Sequence, residues 1–158
     1  MRKTLQNFVW ILTGLFLLLS ALDFNGEYMA EKALWKINWR FTQAINDPKS
    51  YPDAYFDQLL QDYERFVHRF PSSSLVPSAY VFSGRVYTAR QDYTKARTTF
   101  ETVIRQFPSY PQIVAEALIE IGRTYSLEGD YTNALKVYER ITKDHLPSAP
   151  EAKTPYHN

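Results

Sequence analysis

Cysteine is absent from all 158 residues, which excludes disulfides, thiolate metal sites and thiol catalysis. The absence does not assign a compartment, because many exported proteins also lack disulfides. Glycine is scarce, at 5 residues, while Tyr (12) and Phe (10) are plentiful. That balance suits interlocked helices better than a glycine-punctuated all-β chain. Neither sign of charge dominates: 18 basic against 17 acidic side chains leave a formal charge of +1, too little to make an electrostatic footprint for nucleic acid. Diagnostic chemistry is missing as well. His68, His145 and His157 are scattered along the chain, too far apart in sequence to suggest a metal site. Glu116 and Glu120 stand one helical turn apart beside Arg123, a spacing that on an exposed helix face gives solvated charge pairs, and no second catalytic element accompanies them. The expectation is therefore a chain with no catalytic residues, no metal site and no cofactor, long enough for one domain with a real core.

One long hydrophobic run is present. Arg2 and Lys3 precede an uncharged stretch from Phe8 to Leu22, interrupted only by Thr13, Gly14 and Ser20. This is the layout of a signal sequence. Fifteen helical residues reach about 22 Å against a hydrocarbon core of roughly 30 Å, which favours a signal peptide over a full transmembrane helix. Residues 1–22 are thus expected to be a signal peptide or a short membrane anchor. Leu19-Ser20-Ala21 resembles the residues that precede the acylated cysteine of bacterial lipoproteins, but position 22 is Leu, so no thioether-linked lipid can form. Release after Ala21 and tethering both stay open. Setting aside Arg2 and Lys3 leaves 16 basic residues against 17 acidic ones, a soluble balance for the remainder.

Self-similarity organises the rest of the chain. Gly84, Tyr87, Tyr93 and Ala96 recur 38 residues later as Gly122, Tyr125, Tyr131 and Ala134, and Phe100 is answered by Tyr138 at the same offset. Phe70-Pro71, Phe107-Pro108 and Leu146-Pro147 punctuate the chain at matching intervals, each a large residue before a helix-stopping proline. Each unit reads as two antiparallel helices: Pro77 to Ala89 and Asp92 to Phe107, then Val114 to Leu127 and Asp130 to Asp144. Asp92 and Asp130 are the expected N-caps. Gly84 and Ala96, with Gly122 and Ala134, are expected where paired helices cross closely, with Tyr87, Tyr93, Phe100, Tyr125, Tyr131 and Tyr138 filling the surrounding volume. Gly129 supplies the left-handed residue of one hairpin turn, and Gln91 stands in that place in the other.

This pattern resembles the tetratricopeptide repeat (TPR), whose consensus puts large, Leu, Gly and Tyr on the first helix, then Ala, an aromatic and Pro on the second. Tyr80-x-x-Ser83-Gly84-x-x-Tyr87, Ala96-x-x-x-Phe100 and Pro108 match except at Ser83. Leu118-x-x-Ile121-Gly122-x-x-Tyr125, Ala134-x-x-x-Tyr138 and Pro147 match better still. Residues 77–108 and 115–147 are the expected repeats. Residues 27–71 form a degenerate hairpin: Pro52 to Phe70 matches a second helix with Leu59 in place of Ala, and its partner is expected at Glu27 to Ile45, with Tyr28, Leu34, Trp35, Ile37, Trp39 and Phe41 available for the face against it. The longer period resembles that of bacterial cell-envelope TPR proteins and lipoproteins, of the outer-membrane-assembly or Tol-Pal-associated type.

The resemblance implies an all-α, right-handed stack of about three antiparallel hairpins over residues 27–147, after an N-terminal hydrophobic helix. It implies a ligand groove lined by the first helices, with Ser78, Val81, Arg85 and Thr88 in one repeat and Glu116, Ile119, Arg123 and Ser126 in the next. Arg85 and Arg123 occupy equivalent positions, so together they suit a carboxylate or acidic stretch, unless each pairs with a nearby acid such as Glu120. Residues 148–158 read as a flexible tail without a capping helix, so the expectation is either that the chain is a truncated relative of longer repeat proteins or that the exposed face of Val114 to Tyr138 docks on a partner or another copy. The implied function is a protein-interaction scaffold of the cell envelope, periplasmic, membrane-anchored or secreted, with protein or peptide partners and no nucleic acid. A membrane-anchored, cytoplasm-facing regulatory protein or an auxiliary subunit of an enzyme complex is the alternative.

Overall fold

The computed structural model describes the backbone of residues 2–47 and 50–145, and side chains over 6–19, 26–47 and 50–142. Pro147, the 148–158 tail and the side chains of Ser20, Ala21, Leu22 and His145 lie outside these limits. Among the described residues there are six α-helices: α1 (Arg2–Asn46), α2 (Asp53–Arg69), α3 (Val76–Ala89), α4 (Tyr93–Gln106), α5 (Pro111–Leu127) and α6 (Tyr131–His145). Each packs on its successor, and α3 also packs on both α1 and α5. The odd-numbered helices therefore form one wall of the stack, as expected of hairpins repeated side by side.

Local chemistry explains the ends. Asp92 Oδ1 accepts from the Lys95 amide at 3.2 Å and Asp130 Oδ1 from the Asn133 amide at 3.1 Å, so each caps a second helix. The two hairpin turns are closed alike. Asp92 N–H donates to Tyr87 O and Gln91 N–H to Thr88 O, as Asp130 N–H does to Tyr125 O and Gly129 N–H to Ser126 O. This pairing needs one left-handed residue, supplied by Gln91 (φ +62°) and Gly129 (φ +82°). At the other connections Phe70 and Phe107 close the last turns of α2 and α4 through their amides, and Pro71 and Pro108 stop further helix. Helix α5 starts at Pro111, three residues before the expected Val114, because proline at a first-turn position gives up no hydrogen bond.

Two departures concern α1. The sequence suggested a fresh helix at Glu27, yet α1 runs unbroken from Arg2 to Asn46. A lone Gly26 weakens a helix by about 1 kcal/mol, and without a proline nearby that is too little to end one. The inward face also differs from the expectation. Ala30, Leu34, Phe41 and Ala44 are buried and Ile37 half-buried against α2 and α3, whereas Tyr28, Trp35 and Trp39 are exposed. The inward stripe follows the 4-3-4-3 spacing of a helix face, with alanine at both ends. Among the described residues, no helix is long and apolar enough to cross a membrane.

The core is built in two parts. One joins α1, α2 and α3 around Leu34, Phe41, Phe56, Leu59, Tyr63 and Val86; the other joins α3, α4 and α5 around Val81, Ala96, Phe100, Val103 and Ile121. Tyr80 and Phe107 pack against both, their ring centroids 5.7 Å apart. Tyr63 stands in α2 where Phe100 stands in α4, and its hydroxyl donates to Asn38 Oδ1 at 2.8 Å, which answers the polar atom that the ring carries inside. Burial pushes its phenol far above the ordinary range, so it stays a neutral donor.

Candidate functional site

The wall formed by α3 and α5 carries the groove positions. They do not behave alike. Val81 is in the core, and Thr88 is buried with its hydroxyl donating to Gly84 O at 3.0 Å, so neither offers a side chain to a ligand. Ser126 likewise donates to Gly122 O, which leaves its oxygen able only to accept from outside. Ser78 and Glu116 are half-buried, while Ile119 and Arg123 are exposed.

Arg85 sits between two acids of the next repeat. Its Nε donates to Glu120 Oε1 and its Nη2 to Glu116 Oε1, both at 2.7 Å, and its guanidinium carbon lies 5.2 Å from the centre of the Phe82 ring. Burial works to lower its pKa, but the bonds and charges of Glu120 and Glu116 outweigh it and hold the guanidinium above its ordinary value. Arg85 is thus a clamp between hairpins. The paired-guanidinium arrangement suggested by the sequence is consequently uneven: Arg85 is engaged by Glu116 and Glu120, and Arg123 is the outer cation. Arg123 Nε lies 3.3 Å from Glu120 Oε2, an oxygen that is buried and accepts no hydrogen bond. Two arginines and two glutamates in one cluster sum to zero charge. Pairing of each arginine with Glu120, the alternative left open by the sequence, is the arrangement found; that Arg85 also takes Glu116 depends on placing residues 31 and 35 positions apart in sequence side by side.

The packing residues explain why α3 and α4, and α5 and α6, come close. A Cβ on Gly84 would lie 2.4 Å from Phe100 Cε1, and one on Gly122 would lie 2.5 Å from Tyr138 Cε1. Ala96 and Ala134 are buried. Tyr87 and Tyr125 are half-buried, with Lys95 Nζ 5.8 Å and the Arg97 guanidinium 4.4 Å from their respective ring centres. Tyr93 is half-buried. Tyr131, its counterpart, is exposed and so does not fill core volume. The reason is position: α5 packs on α4, while no described helix follows α6.

One concavity had no signal in the sequence. Between α2 and α4, with α3 as its floor, lies a cleft of ≈ 640 Å³ bordered by Asp57, Gln61, Glu64, Tyr80, Tyr87 and Thr99. Its tyrosines read in sequence only as packing residues. Among the described residues no three His, Cys, Asp or Glu side chains gather as metal ligands would.

Helical hairpins in series, with small residues under aromatic rings at each crossing, define a helical-repeat protein that presents extended walls instead of an enclosed pocket. Residues 75–143 match the family model of the tetratricopeptide repeat, which supports a TPR protein. Repeats of this kind bind other proteins and are typically non-catalytic. None of the curated proteins compared with the chain matches it.

Proposed function

We propose that this chain is a protein–protein interaction scaffold of the bacterial cell envelope, held at a membrane through the apolar N-terminal part of α1. The observation that carries the scaffold reading is the α3–α5 wall, where Arg123 and Ile119 present a cation and an apolar side chain side by side on a surface kept rigid by the Arg85 clamp. A protein or peptide segment lies along this wall. Arg123 meets a carboxylate or acidic stretch of that partner, and Ile119 takes an apolar neighbour of it. Exposed apolar residues from Phe8 to Leu19, after Arg2 and Lys3, support the membrane half, and the resemblance to envelope TPR proteins supports the location.

The test is in-cell photo-crosslinking from Ile119, with identification of the captured protein, followed by its binding to purified full chain. Arg123→Ala is expected to weaken that binding about tenfold, the loss of one charge-assisted contact of about 1.5 kcal/mol. Arg85→Ala should weaken it through the wall and also lower stability. Unchanged binding in the double variant Arg85→Ala, Arg123→Ala would overturn the groove.

A further inference from the structure

Helix α1 has two opposite faces. At 100° per residue, Tyr28, Trp35 and Trp39 fall about 155° from the mean direction of the buried Ala30, Leu34, Phe41 and Ala44. They point away from the repeats. Trp35 and Trp39 are 65% and 55% exposed and stack on one another, centroids 6.0 Å apart and planes 20° from parallel. Two exposed indoles side by side leave a large apolar area in contact with water. Lys32, exposed, lies about 40° from the centre of this face, and Lys36, also exposed, about 80° from it on the same side. Glu31, also exposed, lies about 60° off its centre.

This stripe continues in line along the unbroken helix to the exposed Leu17 and Trp10. There the surroundings change. Phe8, Val9, Trp10, Ile11 and Leu12 are five consecutive exposed residues, which together cover every side of the helix. A second protein helix covers one stripe of such a surface; hydrocarbon covers all of it. Downstream, aromatic rings on one face with lysines along its border are the composition of a surface seated in the headgroup layer, where rings sit at the apolar boundary and lysine stems reach outward to lipid phosphates. No described helix is long and apolar enough to cross a membrane, so one end buried and one face wet is the arrangement that satisfies both parts.

We propose that the Tyr28, Trp35, Trp39 face of α1 rests on the headgroup layer of an anionic lipid bilayer, so that α1 lies along the membrane at a steep tilt and holds the repeat stack against it. The proposal builds on the membrane half of the function proposed above. Trp10 to Trp39 spans about 44 Å of helix axis, longer than the roughly 30 Å hydrocarbon core. Because no described helix is long and apolar enough to span the bilayer, both ends of the stripe touch lipid only if the helix is inclined toward the membrane plane. The repeats, packed on the opposite face, then turn away from the lipid.

The chain has 3 tryptophans, so Trp10→Phe leaves Trp35 and Trp39 as the only indole reporters. Full-length Trp10→Phe protein, diluted from detergent onto phosphatidylcholine/phosphatidylglycerol vesicles, is expected to co-sediment with a blue-shifted emission. Lipids brominated near the glycerol end of the acyl chain should quench that emission about twofold or more. In otherwise wild-type protein, Trp35→Ser with Trp39→Ser is expected to weaken vesicle binding about tenfold without lowering the thermal midpoint, since both rings are exposed. Co-sedimentation with unshifted, unquenched emission would overturn the proposal alone, placing this face against water or another protein. Failure to co-sediment would overturn the membrane half of the proposed function together with it.

Discussion

Gly84 and Gly122 occupy equivalent places, yet their surroundings predict different sensitivities. A methyl group at Gly84 meets the ring of Phe100, which is fully buried (0% exposed). At Gly122 it meets Tyr138, whose ring is 36% exposed and has room to swing outward. Gly84→Ala is therefore expected to destabilise by about 1–3 kcal/mol through overpacking. Gly122→Ala should cost less, because the displaced ring moves into solvent, whereas the gain in helix propensity of about 1 kcal/mol is common to both sites. Urea denaturation of the two variants checks the order, and an equal loss at both sites would show that the ring at 138 is as confined as that at 100. The glycines themselves were legible in the sequence by their recurrence. What each one faces was partly legible too, since Phe100 and Tyr138 recur at the same offset, but the difference in their freedom comes from whether another hairpin packs over the ring.

The second helices depend on their aspartate caps. The bond from Lys95 holds the Asp92 carboxyl below its ordinary range, and the bonds from Asn133 do the same for Asp130. Folded-state values below the unfolded ones mean a stabilising contribution that is fully present above the unfolded value of 3.8 and is lost as pH falls through the folded value. Both carboxylates are largely open to water, so screening keeps each contribution small. Asp92→Asn with Asp130→Asn is expected to leave helix capping largely in place, since Asn also caps, while reducing the loss of stability between neutral pH and pH about 3. Thermal midpoints at those two pH values measure it; an undiminished acid loss would assign it to other carboxylates. These caps were readable in the sequence because an aspartate before a periodic apolar segment acts locally. The face of α1 was not. Its largest rings suggested the inward side, whereas Ala30 and Ala44 take part in it because small residues let a neighbouring helix approach.

Helix α3 belongs to both core parts, and two aromatic side chains bridge them. Tyr80 and Phe107 touch both, and the Arg85 clamp ties α3 to α5. Phe107→Ala removes a half-buried ring at this junction and is expected to destabilise by about 2 kcal/mol. It should also lower the denaturant slope or split the transition, as nearest-neighbour coupling between repeats weakens. A single transition of unchanged slope would show that the two parts fold as one without the ring. The sequence by itself determined the two repeat hairpins of α3 to α6, their caps and turns, and the placement of small residues beneath aromatic ones, because all of these are set by neighbours within one repeat or by recurrence between repeats. Tertiary structure alone decided which equivalent residues remain equivalent. Arg85 is enclosed by Glu116 and Glu120 while Arg123 faces outward, Val81 and Thr88 withdraw from the groove while Ile119 stays on it, and Trp35 and Trp39 turn away from the repeats. Each of these depends on what packs against the residue from a distant part of the chain, and a repeating sequence assigns the same pattern to positions whose neighbours differ.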